Sequence, residues 1–289
     1  MKYCRFLLLS VFLLFLFIPS FSQDNKIEVS HLSTINFKKK NKGKMYFFVG
    51  WNWARYTASD IHFQGEGHDF TLHNVKAEDR PSPFSANMYF NPVKWSVPQT
   101  NLKIGYFFHD NWNIAFGMDH MKYVMINDQT VTIDGTIALD NVYDKEYENE
   151  EIVLTDYFLE YEHTDGLNYV HFEINRFDRI LETRWFDINM TEGFSVGVLY
   201  PRSDVNLLNQ GERDKYHLSG YGLGLKAAAN LTFFNYFFIQ SEAKGGFIHL
   251  PDVKTTPNGS DKASQKFFYF QHNFLIGAVF PILRKEKRL

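Results

Sequence analysis

His217-Leu218-Ser219 is the tripeptide in this chain whose residue types and spacing could carry a reaction. Residues two apart on a strand share a face, and here that face continues as Tyr221, Leu223 and Leu225. Both polar side chains are therefore expected to point outward at the rim of an apolar wall. A histidine beside a serine is the minimum for an activated nucleophile. The plainer alternative is a pair of polar rim residues, because geometry rather than spacing defines such a site.

A second constellation is electrostatic. Lys103 and Asp119, then Asp156, Glu160 and Glu162, then His171 and Glu173, then Lys226, and finally Glu242 and Lys244 occupy the polar faces of successive alternating segments. In a narrow interior such groups must pair, since an isolated buried charge costs several kcal/mol. They are expected to form a structural salt-bridge network that plugs a barrel; an ion-selective pore lining is the functional alternative. Residues 140–151 set Asp140, Asp144, Glu146, Glu148, Glu150 and Glu151 against one Lys145. Clustered carboxylates can hold calcium, but without a glycine-turned loop they read as a solvated outer loop, and no metal site is expected. In Asp119-His120-Met121-Lys122-Tyr123, adjacent residues face opposite ways, so Asp119 and His120 form no dyad. No phosphate loop, paired-histidine metal motif or nucleotide fingerprint is present, and no cofactor is expected.

The elements that must position these residues are strands. Phe268, Phe270, His272, Phe274, Ile276, Ala278 and Phe280 recur at every second position, with Tyr269, Gln271, Asn273 and Gly277 between them. The same rhythm runs through Met45, Phe47, Val49, Trp51 and Trp53, and through the arms that flank His109-Asp110-Asn111. It continues on either side of 163–166, 191–193 and 234–236, all three read as tight turns. Long polar connections alternate with these turns. Such asymmetry, with turns at one end and loops at the other, is that of a membrane β-barrel. Between 56 and 99, two short β-like pieces flank Gly65-Glu66-Gly67 and four prolines follow, which predicts a long outer loop carrying a hairpin. Counting gives ten strands, or twelve if that hairpin joins the wall.

Composition sets the bounds. Lys2 and Arg5, an apolar run over 6–18, and Ser20-Phe21-Ser22 describe a cleaved signal peptide over 1–22. The one cysteine, Cys4, leaves with it, which excludes disulfides and thiolate chemistry in the mature chain. No later stretch reaches the roughly 20 apolar residues of a spanning helix, so any crossing must be made by a closed barrel. A mean hydropathy of −0.30 does not conflict with this, because alternating strands average out. Aromatic residues at 18% suit a lipid-facing wall, and a net charge of −3 argues against a nucleic-acid partner. The layout expected is a signal peptide (1–22), a periplasmic lead-in (23–43) that ends in the basic run KKKNKGK, an outer-membrane barrel (44–283) and a basic tail (284–289).

In pattern the mature chain resembles the outer-membrane β-barrel proteins of the Bacteroidota, and Gly277-Ala278-Val279-Phe280-Pro281-Ile282 resembles the β-signal read by the barrel-assembly machinery. That resemblance implies an all-β, antiparallel transmembrane barrel in the outer membrane of a Gram-negative bacterium. Its partners would be membrane lipid, lipopolysaccharide and the assembly machinery, and its role structural or porin-like. The tripeptide is similar to the His-x-Ser element of outer-membrane phospholipase A and of the lipid A 3-O-deacylase, with Gly220 where those enzymes carry Asn. Carried over, it implies His217 as general base and Ser219 as nucleophile of an outer-leaflet lipid esterase. A surface binding protein acting through the 56–99 loop is the third reading.

Overall fold

The computed structural model describes residues 40–282 except 84, 90–97 and 212. The expected signal peptide, most of the lead-in and the tail lie outside the described residues. Fifteen strands in one antiparallel sheet account for most of the described residues, which include a single helical turn at Ala86–Tyr89.

Eight of these strands form a closed ring. They are β1 (Lys44–Tyr56), β5 (Thr100–His109), β6 (Trp112–Met125), β9 (Leu159–Glu182), β10 (Phe186–Leu199), β13 (Gly220–Phe233), β14 (Phe237–Lys254) and β15 (Lys262–Pro281). Each pairs with the next in that order. The ring closes because β15 returns to β1 in unbroken register from Lys44↔Pro281 to Tyr56↔Tyr269. Closure leaves no free edge around the wall.

The wall therefore has eight strands rather than the expected ten, and two glycines explain the difference. The 163–166 segment lies inside β9, where Gly166 at φ 121° sits at an irregularity in the pairing with β6. The 191–193 segment lies inside β10, where Gly193 is paired with Lys226 and makes room for it. A Cβ at Gly193 would stand 2.0 Å from Asn175 Oδ1 and 2.9 Å from Lys226 Cε. Glycine here serves lumen packing, not chain reversal. The reversal between β9 and β10 occurs at 183–185, where the Thr183 hydroxyl accepts hydrogen bonds from Trp185 N at 3.3 Å and Phe186 N at 3.0 Å.

The other strands extend the sheet at the end opposite the tight turns. β2 (Ser59–Gly65) and β3 (His68–Val75) form the hairpin around Gly65-Glu66-Gly67, with Gly67 at φ 76°. β2 pairs with the start of β15, and β3 passes the sheet on to β7 (Thr130–Ile137) and β8 (Lys145–Val153). β4 (Ala77–Glu78) pairs with the end of β6, while β11 (Arg202–Leu207) and β12 (Arg213–Tyr216) extend from β9. None of the hairpin's strands belongs to the ring.

Alternation decides which residues meet. On β15, Phe268, Phe270, Phe274 and Ile276 are exposed, while Tyr269, Gln271, Asn273 and Leu275 are buried. Ile114 and Phe116 on β6, and Val196 and Val198 on β10, continue the apolar exterior. The interior is layered. Near the tight turns Tyr46, Phe48, Phe107, Ala115, Phe238 and Leu275 cluster. At the looped end Met121, Tyr123, Tyr161, Leu167 and Phe267 from the ring pack with Ile61, Phe63, Phe70 and Leu72 from the hairpin. Burial of each such side chain contributes about 1.5–3 kcal/mol. The layer between them is polar.

Candidate functional site: a charge-paired lumen

Seven of the ionisable residues singled out from the sequence converge between the two apolar layers. Lys103 comes from β5, Asp119 from β6, His171 and Glu173 from β9, Lys226 from β13, and Glu242 and Lys244 from β14. All seven are buried. Glu173 is the hub: its carboxylate lies 2.6 Å from Lys103 Nζ, 2.7 Å from Lys226 Nζ and 3.4 Å from Lys244 Nζ. Lys226 also reaches Glu242 at 3.1 Å, and Lys244 reaches Asp119 at 2.5 Å. His171 lies 3.2 Å from Asp119. Three lysines face three carboxylates, so with a neutral imidazole the cluster carries no net charge.

Neighbouring small residues make this density feasible. Lys103 and His171 flank Gly117 across the strands, Glu173 lies between Ala115 and Ser195, and Lys226 is opposite Gly193. Lys226 and Lys244 are themselves a direct cross-strand pair. Two like charges so placed repel, and the repulsion is relieved because both ammonium groups reach Glu173 while Lys226 also meets Glu242 and Lys244 meets Asp119. The lysines also lie over aromatic faces, Lys244 at 4.9 Å from the Tyr169 ring and Lys103 at 5.0 Å from that of Phe48.

Amides that the sequence reading passed over complete the layer. Asn101 donates to Asp119 at 2.7 Å, and Asn273 donates to Glu242 at 3.0 Å. Toward the tight turns, Tyr46 donates to Asn113 at 2.7 Å, and Asn175 donates to the same oxygen at 3.0 Å. Their signal was available as the uncharged polar partner of each alternating pair. Beyond them lies a cavity of about 50 Å³ bordered by Asn189, Asn230 and Gln240.

Asp156 and Glu160 do not join the lumen network. Asp156 is exposed and accepts from Asn127 at 2.5 Å, and Glu160 is exposed on the outer stretch of β9. Glu162 pairs with Arg80 at 3.1 Å. The expectation failed here because 153–161 is not one strand: β8 ends at Val153, and β9 begins at Leu159. In the acidic stretch, Asp144 accepts from Leu139 N at 2.9 Å, and Lys145 pairs with Glu150.

His217 and Ser219 lie in the connection between β12 and β13, not on a strand. His217 Nε2 is 2.9 Å from Asp252 Oδ2, while the Ser219 hydroxyl donates to the carbonyl of His217 at 3.3 Å. Ser219 is 1% exposed whereas Tyr221 is 49% exposed, so the two do not share the outward face. The histidine has an acidic partner. The serine oxygen is engaged with backbone instead of imidazole.

Outside the barrel wall two carboxyls have shifted acidities. Asp110, in the turn between β5 and β6, accepts from the backbone N–H of Lys42 and of Asn41, each at 2.9 Å. These bonds, that of Lys42 above all, hold its carboxyl below the usual range. Burial pushes Asp79 the other way, although Ala54 N and the Gln99 amide both donate to it.

A closed eight-stranded antiparallel barrel with an apolar exterior and a charge-paired interior is thus the class that fold and site define. No protein-family model matches the chain, and no curated protein sequence matches it. Solved structures of similar fold include outer membrane protein AlkL in DMPC lipid bilayers, at 9% identity and a TM-score of 0.43, covering 91% of this chain and 100% of that one. OprG from Pseudomonas aeruginosa matches at 9% identity and a TM-score of 0.39, over 84% of this chain and 98% of that one. Ail of Yersinia pestis, solved with the heparin analogue sucrose octasulfate, matches at 9% identity and a TM-score of 0.30, over 83% and 99%.

Proposed function

We propose that this chain is an outer-membrane β-barrel protein of a Gram-negative bacterium, of the Bacteroidota type, with a plugged lumen and a structural role that holds its outer sheet at the cell surface. The observation that carries the reading is the lumen: the side chains of Lys103, Glu173, Lys226, Glu242, Lys244 and Asp119 are 0–4% exposed and satisfied by one another. Charges that select ions must remain open to water. These six do not.

Placement in a membrane follows from the exterior, where apolar side chains form a continuous belt. Trp112, Trp185 and Phe234 mark its turn end, and Trp53, Tyr200 and Tyr221 the other. On this reading a cleaved signal over 1–22 exports the chain, the assembly machinery reads the end of β15, and lipid with lipopolysaccharide surrounds the wall. The test is conductance. Purified protein in planar bilayers is expected to give no single-channel steps; regular steps of reproducible size would replace the structural role with a porin-like one.

A further inference from the structure

The outer wall carries a groove of about 390 Å³ at the looped end of the belt, bounded by strands β1, β5, β6 and β9, by Tyr200 just past β10 and by the end of β12. That volume is at the lower end of the range for small-molecule sites, roughly 300–1,000 Å³. Its sides are the outward residues Val49, Leu102, Met118 and Val170 together with Tyr200 and Tyr216. The two tyrosine rings stack at 5.6 Å and 10° while remaining 46% and 50% exposed, which gives the groove a flat aromatic border. No Asp, Glu, Lys or Arg lines it among the described residues.

Among the residues that line the groove, His120 carries a buried side-chain atom without a hydrogen-bond partner. His120 has the strand parity of the exposed Ile114 and Phe116, yet it is 6% exposed and paired with Asn168 across β6 and β9. The Asn168 amide nitrogen donates to the carbonyl of Tyr200 at 3.2 Å, which turns its oxygen toward His120 Nδ1 at 2.8 Å. Nδ1 must therefore carry the proton, and Nε2 is left as a bare acceptor with no partner. A buried acceptor without a donor forfeits the hydrogen bond it would make in water. A ligand that supplies the donor recovers it.

We propose that this groove holds one alkyl chain of a neutral amphiphile whose head group donates a hydrogen bond, a hydroxyl or an amide, to His120 Nε2. The inference rests on the membrane placement proposed above. The apolar sides match the chain, the lack of charged lining matches a neutral head, and the lone pair on Nε2 fixes the polarity of the contact. An anionic head would meet an acceptor and be repelled.

The chain labelled with [15N]histidine and [13C-methyl]methionine, inserted in phosphatidylcholine nanodiscs, provides two reporters: Met118 for chain occupancy and His120 Nε2 for the head group. Titration with 1-tetradecanol is expected to shift Met118 saturably and to move Nε2 upfield. Tetradecane should bind about fivefold to tenfold more weakly, the worth of one hydrogen bond, and leave Nε2 in place. His120→Phe should abolish that difference, and Tyr216→Ala should weaken both ligands. If the inserted barrel shows no saturable response at Met118, or if alcohol and alkane bind equally to the parent and to His120→Phe, the proposal falls. If the chain does not insert at all, the membrane reading falls first and takes the groove with it.

Discussion

Glu173 is the lumen residue with most to lose, because three lysines depend on it. Glu173→Ala leaves three ammonium groups facing two carboxylates in a dry layer. Removing one member of a buried ion network costs about 3–5 kcal/mol, and that loss is expected in the urea midpoint for unfolding from lipid vesicles. Arg176→Ala is the control: its bond to Asp178 at 2.7 Å is exposed, and solvent-screened pairs of this kind contribute little to stability. Equal losses from the two variants would remove the special status of the lumen. At this scale much was legible, since seven charged positions could be assigned to one interior from alternation alone. Asp156 and the outward face given to Ser219 were not, because each belongs to a connection in which the two-residue period lapses, and Glu160 was not, because it stands exposed on the outer stretch of β9. Spacing also could not show that His217 would meet Asp252, a residue 35 positions away.

Glycine was the ambiguous letter at the scale of elements. Gly166 and Gly193 follow turn-forming residues, and local propensity favours a reversal at both; the register shows each inside a strand. What decides is volume across the wall, which sequence-local reasoning does not contain. Gly193→Val should therefore act as a lumen lesion, with the new side chain forced against Asn175 and Lys226. Overpacking of this kind costs about 1–3 kcal/mol, read again from the urea midpoint. A true turn glycine would tolerate polar replacement far better, so Gly193→Asn separates the two accounts: no loss would favour a turn. The hairpin at 65–67, in contrast, was legible because both arms and the turn are contiguous in sequence.

That hairpin also carries a pH response. His68 on β3 is 4% exposed, and burial lowers its pKa from 6.5 against the raising effect of Asp261. A histidine with a lowered folded pKa binds its proton more readily in the unfolded chain, so its contribution to stability is full above about 6.5 and declines as pH falls through that value toward the folded pKa. Hydrogen exchange at the amides of β2 and β3 should accelerate on acidification from pH 7.5 to about 5.5. His68→Phe should flatten the dependence. Identical acceleration in parent and variant would assign the effect to other groups.

Taken as a whole, the molecule separates closure of its wall from closure of its lumen. The ring depends on β15 pairing with β1, a contact that involves neither the β2–β3 hairpin nor the charged layer. The lumen is filled at three levels: by the apolar cluster of Tyr46, Phe48, Phe107 and Phe238 near the tight turns, by the ion network, and by the looped-end apolar layer to which Ile61, Phe63, Phe70 and Leu72 contribute. Replacement of residues 58–76 by a short Gly-Ser linker should therefore leave a folded barrel with heat-modifiable electrophoretic mobility, yet no conductance, because the charged layer still blocks the path. Glu173→Ala alone should likewise fail to conduct while the apolar layer stands. Even their combination is expected to stay closed, because the turn-end cluster still fills the lumen; steps in planar bilayers are expected only when Phe48→Ala and Phe238→Ala open that cluster as well. Conductance from the hairpin deletion alone would show that the charged layer admits water and ions, and the ion network would then be a pore lining.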